Sequence, residues 1–192
     1  MAKDLTVGPE CKVAVKVDQQ VGFVTGRLAN PAAAERIPYL TAKAKRQAEE
    51  GFLFYCTLDT HAETEAEYLR TQEGKKLPVW HCGKNTPDWE IVPGLKELYE
   101  SYEACFIEKP TYGSETLVQE LKRLDAQSKI VLIEVDGFVT NICDISNVLM
   151  LKAAFPEVRI LFDAAGSAGT SEEGHRQALS IMRDCQVEVI NA

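Results

Sequence analysis

Six side chains in this sequence have the types and the placement to do chemistry together: Asp18, Asp59, His61, His81, Lys109 and Cys143. Cys143 comes shortly after the apolar run Ile130-Val131-Leu132-Ile133 and the turn signal Asp136-Gly137. From Thr140 onward Ile142, Ile145, Val148, Leu149 and Leu151 follow helical spacing. The pattern therefore predicts Cys143 in the first turn of a helix that begins just past a buried strand. Unpaired N–H groups and the positive end of the helix dipole suit a thiolate there, so Cys143 is a candidate nucleophile. Such a nucleophile needs a proton acceptor and a counter-charge. Asp18 could take the proton, and Lys109 could hold the thiolate and carboxylate charges together. Asp59-x-His61 with His81 supplies a carboxylate and two imidazoles, a donor set for a divalent ion such as zinc, manganese or iron. The third histidine, His175, lies in the polar part of a late helix and reads as ordinary surface.

The elements that must position these groups alternate between strand and helix. Strands are predicted at 12–18, 52–58, 104–107, 130–133, 158–162 and 186–190. Helices are predicted at 32–50 (with Pro38 inside, so kinked or starting later), 95–102, 114–127 and 170–185. The last starts at a Thr170-Ser-Glu-Glu173 capping box. Residues 62–93 show only a short helical piece near 63–71, and an excursion of that length is more often functional than decorative. Buried strands alternating with amphipathic helices imply an α/β fold: three layers, α/β/α, around a central, mostly parallel sheet. Ligands bind such sheets beyond the carboxyl ends of the strands. Asp18, Asp59, His61, Lys109 and Cys143 all fall at or just past such ends, from four different strands.

Composition narrows the function classes. With 192 residues, 45% of them hydrophobic and 26% charged, the chain is expected to form one globular domain over 1–192. A formal charge of −8 argues against a nucleic-acid or anionic-membrane partner. No apolar stretch approaches the ~20 residues that span a bilayer, and the first residues lack the apolar core of a signal peptide. A cytoplasmic location is the expectation. The six cysteines show no CxxC spacing, so neither a disulfide framework nor a zinc finger is indicated.

Five pieces, in order from Val15 onward, carry a family resemblance: VDQQVGF, LDTH, WHCGKNTPDWEI, EKPTYGS and GFVTNIC. Together they resemble the isochorismatase-like cysteine hydrolases, and within them the nicotinamidases. The resemblance implies a catalytic triad of Asp18, Lys109 and Cys143. It also implies a cis Phe138–Val139 peptide, with the N–H groups of Val139 and Cys143 as the oxyanion hole. One divalent ion, zinc first with manganese or iron as alternatives, would be held by Asp59, His61 and His81. Glu73 occupies the place of a further ligand. Phe23 would pack on the substrate ring, and Tyr112 would join the substrate wall. The implied reaction is hydrolysis of a small carboxamide, nicotinamide foremost, to an acid and ammonia through a thioester, a step of NAD salvage. Family habit implies a homo-oligomer. Two alternatives stay open: a related hydrolase of another small amide or ureido compound, and a non-catalytic binding member.

The chain also departs from the family's pattern. Gly22 stands where an acidic residue is usual, and Gly113-Ser114-Glu115 follows Tyr112 where a longer aromatic-rich run is common. Asn141 replaces a frequent Asp, and Asp144 follows the nucleophile where an apolar residue is usual.

Overall fold

Strand β1 (Glu10–Val17) is buried on both faces from Val13 onward, which fits only a central strand of a sheet covered on both sides. It pairs with β2 (Phe52–Asp59) on one side and with β4 (Lys129–Gly137) on the other. Beyond them lie β3 (Cys105–Lys109), β5 (Arg159–Asp163) and β6 (Glu188–Ile190). The strand order is β3-β2-β1-β4-β5-β6, and every pairing is parallel. These coordinates are a computed structural model that describes residues 8–192.

Eight α-helices among the described residues connect the strands: α1 (Val21–Val24), α2 (Pro31–Glu49), α3 (Glu65–Tyr68), α4 (Gln72–Lys76), α5 (Leu95–Ser101), α6 (Glu115–Gln127), α7 (Ile145–Ala154) and α8 (Glu172–Asp184). Alternation along the strands divides the core in two. Ala14, Phe54 and Cys56 meet Leu40 and Ala44 of α2 and Leu95 and Tyr99 of α5. On the opposite face Val13, Val15, Val17, Ile133 and Val135 meet the leucines of α6, Val148 and Leu151 of α7, and Leu179 and Met182 of α8. The α/β/α layering read from the sequence is the observed one. No helix is long and apolar enough to cross a membrane among the described residues.

Local chemistry explains where the elements differ from expectation. The run 130–133 is not buried throughout, since Val131 stays 39% exposed; β5 pairs with β4 only from Leu132 onward. At its other end β4 continues through the Asp136-Gly137 pair expected to be a turn. Helix α2 starts at Pro31, capped by the Asn30 side chain accepting from Ala32 N–H, and runs past Pro38 to Glu49. Ser171, not Thr170, caps α8, accepting from Gly174 N–H. The 62–93 excursion holds two short helices because two threonines cap there, Thr64 for α3 and Thr71 for α4. Its indoles pin it down: Trp80 Nε1 donates to Ala62 O and Trp89 Nε1 to Thr60 Oγ1.

Candidate active site

The strand order reverses direction between β1 and β4, and the crevice beyond their carboxyl ends is where such sheets bind ligands. Asp18 stands there, one residue past β1, with a left-handed backbone (φ 46°) that turns its carboxylate back over the sheet. Its Oδ1 accepts from Thr57 Oγ1 at 2.6 Å, and its Oδ2 lies 2.7 Å from Lys109 Nζ. Lys109, the last residue of β3, is 1% exposed. Its ammonium also donates to Thr111 O at 2.9 Å and reaches Asp59 Oδ1 at 3.5 Å and Cys143 Sγ at 3.7 Å. The three groups read from strand ends thus meet around one cation.

Cys143 arrives by a special turn. Gly137 has φ 150°, and a Cβ there would collide with the Val17 carbonyl oxygen, which accepts from Phe138 N–H. The Phe138–Val139 peptide is cis. Residues Thr140–Asp144 then form a π-turn, closed by Asp144 N–H donating to Val139 O, before α7 begins at Ile145. Cys143 therefore sits in a π-turn ahead of the helix rather than in an α-helical first turn, an irregularity common at functional sites. The resting thiolate suggested by a helix start does not follow. Burial, reinforced by the charge of Asp18, pushes the thiol well above its ordinary value, and Lys109 opposes this only in part. Burial also raises the Asp18 carboxyl against the pull of Lys109, making it a stronger proton acceptor than a solvated aspartate. Lys109 stays charged although burial works against it, because Asp18, Cys143 and Asp59 together raise its pKa above the ordinary lysine value.

Beside this group lie the candidate metal donors. His61 Nε2 stands 3.0 Å from Asp59 Oδ2 and 3.2 Å from His81 Nε2, and Asp59 Oδ2 is 3.4 Å from His81 Nε2. Glu73, from α4, brings Oε1 to 3.5 Å from His61 Nε2 and 3.8 Å from His81 Nε2. Four donors bound to one zinc at 2.0–2.1 Å stand about 3.3 Å apart, so the cluster fits a single divalent ion. His81 Nδ1 lies 2.8 Å from Val79 O, a contact that leaves Nε2 to carry the lone pair. Burial works against charge on Asp59, yet His61, His81 and Lys109 hold its carboxyl below the usual carboxylate range.

One pocket of about 400 Å³ opens over both groups, and its lining includes Cys143, Val139, Asp59, Glu73, His81 and Phe23. Phe23 presents its ring to His81 edge-on, with centroids 5.7 Å apart. Tyr112 lines the same pocket. Residues 12–192 match the isochorismatase domain family. The chain belongs to the isochorismatase family. Among solved structures it is similar to a nicotinamidase/pyrazinamidase from Bacillus subtilis (21% identity, 93% of this chain and 98% of that one, TM-score 0.79). It is likewise similar to a pyrazinamidase of Pyrococcus horikoshii in complex with zinc (22%, 94% and 99%, 0.78). A third neighbour is an N-carbamoylsarcosine amidase from Thermoplasma acidophilum (18%, 93% and 95%, 0.73). No curated protein matches the sequence. Likenesses at this identity show the isochorismatase-like hydrolase fold, which different amidases share.

Within this isochorismatase-family site several residues escaped the sequence reading. Asp88 fills the space that Gly22 leaves open: a Cβ at Gly22 would come 2.9 Å from Asp88 Oδ2. Its carboxylate accepts from Arg27 N–H at 3.0 Å and Cys82 N–H at 2.9 Å, locking the segment after His81 to α1. The unusual glycine was the available signal. Asn147 of α7 donates to Cys143 O and Tyr112 O and accepts from Ser114 N–H, tying the wall after β3 to the nucleophile turn. His175 is no free surface group, since its half-buried ring bonds Thr140 Oγ1 through Nδ1 at 2.8 Å. Asp144 is fully buried, with neither carboxylate oxygen hydrogen-bonded. Burial first, then the charges of Asp18 and Asp136, push its carboxyl well above the usual range; Lys109 opposes the shift only in part.

Proposed function

We propose that the chain, acting as one domain over 1–192, is a metal-dependent cysteine amidohydrolase that releases ammonia from a small uncharged carboxamide of the nicotinamide type. The observation that carries this reading is the single ammonium of Lys109, placed 2.7 Å from Asp18 and 3.7 Å from Cys143 beside an Asp-His-His-Glu donor set, with Cys143, Asp59, Glu73 and His81 lining one pocket. Asp18 takes the thiol proton as the Cys143 sulfur attacks the carboxamide carbon. The oxyanion accepts hydrogen bonds from the N–H groups of Val139 and Cys143. Asp18 returns the proton to the nitrogen as the C–N bond breaks, and ammonia leaves. Asp18 then deprotonates a water that attacks the thioester; the C–S bond breaks, the thiol regains its proton and a carboxylic acid is released. Lys109 stays charged throughout and keeps the acid and the sulfur within reach of each other. Asp59, His61, Glu73 and His81 would hold a divalent ion, zinc by the nitrogen–oxygen donor set, whose Lewis acidity serves to orient a ring nitrogen.

The pocket lining favours a neutral substrate. Among the described residues that line it there is no lysine or arginine, whereas a substrate bearing its own carboxylate calls for such a cation. This supports a ring carboxamide over a ureido acid as the substrate. The test is ammonia release from nicotinamide by the zinc-, manganese- or iron-loaded protein. Turnover that vanishes in Cys143→Ala supports the reading, and unchanged turnover in that variant overturns it.

A further inference from the structure

The pocket is larger than an unsubstituted ring amide requires. A nine-heavy-atom ring amide fills about 120 Å³, and pockets of roughly 300–1,000 Å³ ordinarily enclose drug-sized ligands. The observed volume is about 400 Å³. Even two or three ordered waters, at about 30 Å³ each, leave a large part of it unfilled. The lining changes character with depth. Phe23, Asp59, His81, Val139 and Cys143 are buried and form the floor where the reacting groups lie. The outer wall is apolar and open to water: Leu28, Pro31, Leu77, Tyr112 and Ile142, with Leu77 38% and Tyr112 45% exposed.

The outer wall offers little else to a ligand. Asn30 is spent at both ends of its amide, accepting from Ala32 N–H and donating to Gly169 O. Thr170 Oγ1 accepts from Asn141 Nδ2, and Thr170 N–H donates to Asn141 Oδ1. The wall is also held in place. Asn147 fastens the segment bearing Tyr112 through Tyr112 O and Ser114 N–H, so the space stands preformed beside the nucleophile.

We propose that this outer pocket is a subsite for an apolar substituent, and that the substrate is an uncharged ring carboxamide bearing an alkyl or aryl group of a few carbons. The inference rests on the amidohydrolase reading above and names its substrate class. Covering half-exposed Leu77 and Tyr112 with such a group removes apolar surface from water on both partners. The experiment compares kcat/KM, by ammonia release from the metal-loaded protein, for nicotinamide and for its methyl, ethyl and propyl derivatives at ring positions 5 and 6. We expect about a fourfold rise per added methylene in at least one series, the factor that burial of one CH₂ supplies. In Leu77→Asn the propyl-to-parent ratio should fall back toward one. Turnover of the parent with both series flat or falling overturns the subsite while leaving the hydrolase reading intact. A rise that Leu77→Asn does not diminish overturns it as well. No turnover of any amide removes the amidohydrolase reading, and the subsite with it.

Discussion

Two buried clusters of charge lie over the sheet, and they are built on different terms. One joins Lys16, Lys43, Glu134, Asp136 and Asp163 between the strands and α2. Lys43 Nζ stands 2.6–2.8 Å from Asp163, Asp136 and Glu134, and Lys16 Nζ stands 2.8 Å from Asp136 and 2.7 Å from Gln47. Gln19 adds a bond to Asp136, and Tyr39 and Asn191 add theirs to Asp163. Burial opposes charge on Asp136, yet Lys16 and Lys43 hold it below the usual range. Around Lys109, by contrast, one ammonium serves Asp18, Asp59 and Cys143 at 2.7, 3.5 and 3.7 Å, and burial pushes the thiol and Asp18 toward their neutral forms. The first cluster leaves no charge seeking a partner. The second keeps its protons movable, and it opens on a pocket. A buried network that is satisfied specifies a fold, and one that is strained and accessible can do chemistry.

Substitutions should separate the two clusters sharply. Cys143→Ala should cut ammonia release by roughly 10⁵–10⁶-fold while leaving the thermal midpoint within a few degrees, read by steady-state assay and calorimetry. Lys109→Met should lower kcat by about a thousandfold, because Asp18 and the sulfur lose the fixed cation that holds them together. Lys43→Met should do the reverse: destabilise by roughly 3–5 kcal/mol in urea unfolding, since three carboxylates lose a shared partner, with kcat per folded molecule little changed. Equal effects of the two lysine substitutions on both readouts would erase the distinction. His61→Ala should weaken metal binding by about 10–100-fold, measured as retained metal after dialysis, and chelation of the parent protein should depress ammonia release until zinc is restored.

Much of the second cluster was legible because its members fall at or just past the ends of predicted strands. Asp18 closes one, Asp59 and Lys109 lie just past two others, Cys143 follows a fourth, and Asp59-x-His61 places two donors on successive same-face positions. The first cluster was not legible. Lys16 lies inside a predicted strand with nothing local to mark it as a partner, and Asp136 reads as half of a turn signal. Their pairing joins positions 120 residues apart, a distance that no local pattern records. Asn147 and His175 were hidden for the same reason: their long-range hydrogen bonds reach partners 33 to 35 residues away. The π-turn was likewise invisible, because its apolar spacing matches that of the helix it precedes. The cis Phe138–Val139 peptide was reached by resemblance alone.

Asp144 has a consequence for the whole chain. Burial holds its carboxyl well above the ordinary aspartate value of about 3.9 to which it returns in the open chain, so unfolding at a pH between the two values liberates a proton. A group that binds more protons folded than unfolded lowers stability as pH rises through the window between its two pKa values, with full stability retained only below the lower one. Calorimetric unfolding at pH 7 in two buffers of different ionisation enthalpy should count about one proton more for the parent than for Asp144→Asn. An equal count would mean the carboxyl is charged in place. The protein therefore carries an acid whose burial a rising pH works against, lodged one residue from its candidate nucleophile.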